Sequence, residues 1–241
     1  DFEETDTEAC YPLKKTSQGL VLGNRKFFIT NFTFCLVIGA LYWVIAAVTQ
    51  ATPTYALNGW SITNPFFLIS MAALFSIFRA YADSSKVSLK NRLAFAHTAG
   101  HVLLILFLMN FFPYINNIFF NAYFSFLFFI AEMFVIGGTL GGLIWGSYLI
   151  FCSYFFGVHH NDAFSAMGRT DYRNFLRMKI QGDELTIYPI GVDKVPEVKG
   201  WQVNPKAQDN NQNEPAIQPV DPKEGLTPRL IEGPIVIKST P

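Results

Sequence analysis

Charge is what this chain has least of. Only 15% of its 241 residues are Asp, Glu, Lys or Arg, against about 25% in an average soluble chain. The shortage is uneven. No such residue occurs from Phe27 to Phe78, and from Leu93 to Asn161 the single one is Glu132. Stretches of that kind exclude an ordinary soluble domain. The 18 basic and 18 acidic residues cancel, which removes the electrostatic case for nucleic acid as a partner. Cysteine is scarce as well. Cys10, Cys35 and Cys152 are scattered, which excludes a disulfide framework and shows no metal-ligand spacing. Nucleophile elbows, phosphate-binding glycine loops and paired-cysteine motifs are also missing. No catalytic residue is therefore assigned, and no cofactor is expected of this chain by itself.

What is present is apolar surface, with 51% hydrophobic residues and 25 phenylalanines. A hydrocarbon core about 30 Å thick needs about 20 apolar helical residues. The sequence suggests an α-helical integral membrane protein with about four transmembrane helices, followed by a small cytoplasmic β-rich module and an extended tail. The spans are expected at about 27–49, 65–81, 94–112 and 130–156. Asn110 and Pro113 are expected to stop the third. The last apolar run, Ile118 to Gly157, would be about 60 Å long as one helix. Its first part reads as interfacial or re-entrant, with five spans as the alternative.

Basic residues mark the cytoplasmic side of a span. Lys14, Lys15, Arg25 and Lys26 precede the first apolar run, Arg79, Lys86, Lys90 and Arg92 lie between the second and third, and Arg169, Arg173, Arg177 and Lys179 follow the last. The loops 50–64 and 110–123 are uncharged. This alternation places residues 1–26 and both termini in the cytoplasm. The acidic start (Asp1, Glu3, Glu4, Asp6, Glu8) is not a signal peptide, and its lack of Met suggests a processed chain or a piece of a longer one. Tyr42, Trp43, Trp60, Tyr81, Tyr148 and Tyr154 sit near expected span ends, as interfacial anchors do.

After Gly157 the composition becomes that of a soluble segment. Asn161 and Asp162 are candidate caps for a short helix through Met167. Two alternating runs, Phe175–Ile180 and Leu185–Ile190, flank Gly182-Asp183 and predict a β-hairpin within a module at 158–200. Val192–Val198 suggests a further strand. The remainder, 201–241, reads as an extended linker rich in Pro, Asn and Gln, closed by a strand at 230–237 that returns to the hairpin.

Three features are candidates for function. His97 and His101 are four residues apart, hence on one face of a helix, and His159 and His160 fall on the same side of the membrane. Together they form a candidate metal or cofactor site. The plainer reading is hydrogen bonding between helices and at the interface, since the Glu of the strong helical zinc pattern is replaced by Thr98. Glu132 is the one charge inside a span, a costly residue to place there. Its plainer place is at the outer interface, about 40 Å from the cytoplasmic end of its helix, too far for a relay with His97. Gly138, Gly142 and Gly146 form a smooth helix face for close packing, either within the chain or against a partner.

Several segments in order resemble a known family. They are Asp1-Phe2-Glu3-Glu4, Leu22-Gly23-Asn24, the glycine run 137–146, His160-Asn161-Asp162-Ala163-Phe164-Ser165, Tyr172-Arg173-Asn174-Phe175-Leu176-Arg177, Leu185-Thr186-Ile187-Tyr188-Pro189-Ile190 and Leu230-Ile231-Glu232-Gly233-Pro234-Ile235. In this order they resemble the C-terminal membrane region of bacterial calcineurin-like metallophosphoesterases. The resemblance implies a phosphoesterase domain N-terminal to these helices, holding two divalent metals that activate water. None of its ligand motifs occurs here, so no family catalytic residue carries over. The implied role is a non-catalytic anchor in a bacterial inner membrane, with the lipid bilayer as its partner. The alternative is an accessory subunit of an energy-transducing or secretion complex, docking other subunits or a second copy through the glycine face and the β-module.

Overall fold

The computed structural model describes residues 10–51, 64–209, 215–221 and 226–238. Trp60 and the acidic residues of the N-terminal segment lie outside these. The chain divides into a unit comprising Leu20–Gly168 and a second one built from the segment up to Gly19 with Arg169–Pro241.

Helix α1 (Lys14–Val21) and a tight turn, Leu22–Lys26, lead to a short α2 (Phe27–Thr30) and then α3 (Phe32–Ala51). These are followed by α4 (Pro65–Tyr81), α5 (Val87–Phe119), α6 (Ala122–Glu132), α7 (Gly138–Phe156) and α8 (His160–Ala166). Among the described residues, three stretches are long and apolar enough to cross a membrane: Phe32–Ala51, Val87–Phe119 and the continuous Ala122–Phe156. Helix α4 is also apolar but shorter, at 17 residues. Asn64 starts it, accepting the Phe66 and Phe67 N–H groups at 2.9 and 3.3 Å, with Pro65 in the first turn, where its missing N–H costs nothing.

Two expected boundaries are corrected. Helix α5 does not stop at Asn110 and Pro113 but runs through both. Asn110 satisfies itself by donating to Leu106 O at 2.7 Å. Pro113 has no N–H for the Met109 carbonyl, and Gln50 Nε2 supplies the donor instead, at 2.7 Å. The second correction concerns residues 122–156. No break or re-entrant turn separates α6 from α7; they join through one wide π turn, Met133–Gly137.

That turn presses against α3. A Cβ built on Gly39 would lie 2.5 Å from Phe134 O and 2.6 Å from Met133 O. Only hydrogen fits between the two backbones. The main core gathers Ile38, Tyr42 and Ile45 of α3, Phe67 and Phe78 of α4, and Ile105, Leu108 and Met109 of α5. The outward faces are apolar too: Phe95, Leu103 and Ile69 are 68%, 67% and 65% exposed.

The second unit is a small antiparallel sheet. Strands β1 (Arg173–Gln181) and β2 (Glu184–Val192) form the expected hairpin, in register from Arg173↔Val192 to Gln181↔Glu184. Gly182 takes the left-handed conformation the turn needs (φ +57°). The C-terminal strand does return, but in two pieces, because Gly233-Pro234 interrupts it. Counting from β3 (Trp201–Val203) and β4 (Ile217–Pro219), these pieces are β5 (Pro228–Leu230) and β6 (Ile235–Lys238), and both pair with β2. β3 and β4 pair with each other, so part of the expected linker is ordered. Val192–Val198 adds no further strand; Val198–Gly200 is a single tight turn.

The N-terminal segment belongs to this sheet unit. The Tyr11 ring lies over Gly191, where an added Cβ would be 2.8 Å from it. Tyr11 donates to Asp193 Oδ1 at 2.9 Å, and Arg229 grips the same carboxylate with two bonds of 3.0 and 3.1 Å. Those bonds, Arg229 first and Tyr11 second, hold the Asp193 carboxyl below its ordinary value. Partial burial, with the Asp193 charge beside it, pushes Tyr11 up to about 12. A depressed carboxyl contributes stability above its unfolded pKa of about 4, which is lost in stronger acid. A raised phenol contributes below about pH 10, and that part is lost between about 10 and 12. Chemical denaturation followed at Trp201 is therefore expected to be level between these limits and to fall at both ends. Arg229→Met flattens the acid limb; an unchanged limb in that variant overturns the assignment.

Candidate functional site

The histidines sort into a buried layer and a polar node. His97 and His101 lie one turn apart on α5, each 2% exposed, with ring centroids 4.8 Å apart. His97 is sandwiched. Phe78 of α4 stacks on one face at 4.0 Å and 16°, and Tyr148 of α7 on the other at 4.0 Å and 14°. Trp145 closes the edge at 4.8 Å. Neither His97 ring nitrogen has a hydrogen-bond partner among the described residues, nor does His101 Nε2. His101 Nδ1 shares a hydrogen bond with the Tyr42 hydroxyl. This layer thus joins α4, α5 and α7 through ring stacking, and α3 through the Tyr42–His101 hydrogen bond.

His159 is a node of hydrogen bonds. Its Nε2 accepts the Asp83 backbone N–H at 3.0 Å. Nδ1 is therefore the protonated nitrogen, and it donates to Asp162 Oδ2 at 2.7 Å. The Tyr148 hydroxyl meets Nε2 at 3.1 Å. The His159 backbone N–H returns a bond to Asp83 Oδ2 at 3.3 Å. The α4–α5 connection is thereby tied to the start of α8. To make these contacts His159 adopts a left-handed backbone, φ +62°, uncommon outside glycine. It occupies the cap position expected for Asn161 or Asp162, with no side-chain cap bond.

His160 is separate and exposed, its Nδ1 2.7 Å from Ser153 Oγ. The four histidines do not converge on one point. Among the described residues, no group of three or more His, Cys, Asp or Glu side chains is placed to hold a metal ion. Phe78 and Tyr148 cover both faces of the His97 ring.

Glu132 sits at the far end of the helices from this layer. Its Oε2 accepts from Asn116 Nδ2 at 2.7 Å. Asn116 lies 19 residues beyond His97 on α5, about 28 Å along the helix. The glycine face is turned into the chain. A Cβ on Gly138 would overlap the Cys35 carbonyl, one on Gly142 the Cys35 Sγ, and one on Gly146 the Asn24 carbonyl. That face is covered by the chain's own residues.

Several contributors carried no signal of their own in the sequence. Tyr42 and Tyr148 suggested interfacial anchors, yet they are 1% and 7% exposed. Their hydroxyls reach histidines instead. Phe78 was one of 25 phenylalanines. Asp83 is one residue of the segment between the second and third apolar runs. No protein-family model, no curated protein and no solved structure matches the chain.

Proposed function

We propose that the chain is a non-catalytic membrane anchor, with α4 as a fourth span beside the three long helices and both ends in the cytoplasm of a bacterium. The observation that carries this reading is the apolar outer surface of α3 to α7, which only lipid accommodates over such lengths. The basic segments at Arg25-Lys26, Arg79–Arg92 and Arg169–Lys179, set against uncharged loops, support the orientation. The association with a metal-dependent phosphoesterase rests on the segment resemblance alone. An accessory-subunit role retains only the β-module as a docking surface, because the glycine face is used internally.

Two measurements test this. Alkaline extraction is expected to leave the protein in the membrane pellet, and its release into the supernatant overturns the reading. Cys10 is the one exposed thiol among the three, with Cys35 and Cys152 buried. A membrane-impermeant maleimide is expected to label Cys10 only after cells are permeabilised. Labelling in intact cells reverses the proposed orientation.

A further inference from the structure

We infer that the free edge of β1 is an interaction surface for the chain's own acidic segment 1–9, which docks there as an antiparallel strand. Among the described residues β1 pairs on one side only, with β2, while β5 and β6 pair with the far side of β2. All nine β1 residues are exposed, with Leu176, Met178 and Ile180 at 58%, 59% and 79%. A long apolar edge of this kind takes up another strand unless something covers it.

The backbone of the edge is oriented for pairing. Pro189 O accepts the Ile231 N–H at 2.9 Å, on the side of β2 away from β1. Leu176 stands opposite Pro189, so its own N–H and C=O turn away from β2, and those of Asn174, Met178 and Ile180 turn with them. The side chains divide with the same period. Arg173, Arg177 and Lys179 share one face, Leu176, Met178 and Ile180 the other. No acid occurs in the strand.

Charge and reach select the occupant. In a two-fold self-pairing centred on Leu176, Arg177 or Met178, at least one basic side chain stands directly opposite another, which is destabilising. Segment 1–9 instead carries Asp1, Glu3, Glu4, Asp6 and Glu8 and no Lys or Arg. It is continuous with Cys10-Tyr11, and the Tyr11 ring meets that of Tyr172, just before β1, edge to face at 6.2 Å. Nine extended residues reach about 30 Å, the length of β1 itself. Counting back antiparallel from Tyr11 beside Tyr172 sets Asp6 opposite Arg177 and Glu4 opposite Lys179. On the other face the same register sets Thr7 opposite Leu176 and Thr5 opposite Met178. A tethered segment also acts at an effective concentration of about millimolar.

Residue-resolved hydrogen exchange on the full chain in detergent tests the inference. In the wild type, the Leu176, Met178 and Ile180 amides are expected to exchange about tenfold more slowly than in a Glu4→Lys, Asp6→Lys double variant. The Phe175, Arg177 and Lys179 amides, which face β2, are expected to exchange alike in both and so report an intact hairpin. Adding Arg177→Glu and Lys179→Glu to the double variant is expected to restore slow exchange. Unprotected Leu176, Met178 and Ile180 amides in the wild type, or no change in the double variant, overturn the inference. Disulfide trapping reads the register. In a Cys10→Ser chain, Thr7→Cys is expected to cross-link within one chain to Leu176→Cys but not to Ile180→Cys. A covalent dimer would assign the edge to a second copy and overturn the inference.

Discussion

Gly138→Ala is expected to abolish recovery of folded protein, although it adds a single methyl group. The reason is what that methyl meets. It would overlap the Cys35 carbonyl oxygen, with the Cys35 carbonyl carbon at 3.0 Å. These are backbone atoms inside α3 and have no rotamer to adopt. Relief requires α3 and α7 to separate, which would also open the contact of Gly142 with Cys35 Sγ. Overpacking costs about 1–3 kcal/mol where side chains can yield, and more is expected here. Gly100→Ala is the matched control. Its Cβ would find Ile144 Cγ2 at 3.4 Å, close to ordinary contact. Alanine is favoured over glycine inside a helix by up to about 1 kcal/mol, so this variant is expected to match or exceed the wild type. Fluorescence-detected size exclusion and thermal melting in detergent distinguish the two. Equal behaviour would mean that the close approach of α3 and α7 is not needed for folding.

His159→Ala carries the second large effect. It removes the acceptor for the Asp83 N–H, the partner of the Tyr148 hydroxyl and the donor to Asp162. Leaving buried polar groups unpaired costs about 1–3 kcal/mol each. A loss of about 3 kcal/mol is expected overall. Because φ at this position is +62°, His159→Gly separates ring from backbone. Glycine relieves the left-handed conformation but restores none of the bonds, so it should remain well below the wild type. If glycine matched the wild type, the ring would contribute nothing. His160→Ala, on the exposed neighbour, is expected to shift stability by no more than about 0.5 kcal/mol.

The contrast between these two histidines shows how far the sequence was legible. Adjacent in the chain and identical in type, they differ in everything that depends on backbone conformation. His159 turns left-handed and points inward; His160 begins a helix and faces out. The pairing of His97 with His101 was readable from four-residue spacing. That Phe78 and Tyr148 would enclose His97 was not, because it depends on how α4 and α7 rotate against α5. The same holds for the run through Pro113. A proline alone argues for a stop, and only the distant Gln50 side chain makes continuation affordable. By contrast, the apolar stretches and the hairpin were legible because each rests on a local pattern: absent charge in one case, alternation around Gly-Asp in the other.

Tyr11 and Arg229 meet at Asp193, so one folded unit draws on both ends of the chain. This imposes a parity rule on the membrane reading. A chain that leaves one side of a bilayer and rejoins its own partner strand must cross an even number of times between Gly19 and Arg169. Three long helices cannot satisfy that count alone. On the proposed four-span reading, the 17-residue α4, the shortest of the apolar helices α3, α4 and α5, would be the crossing that makes the topology close.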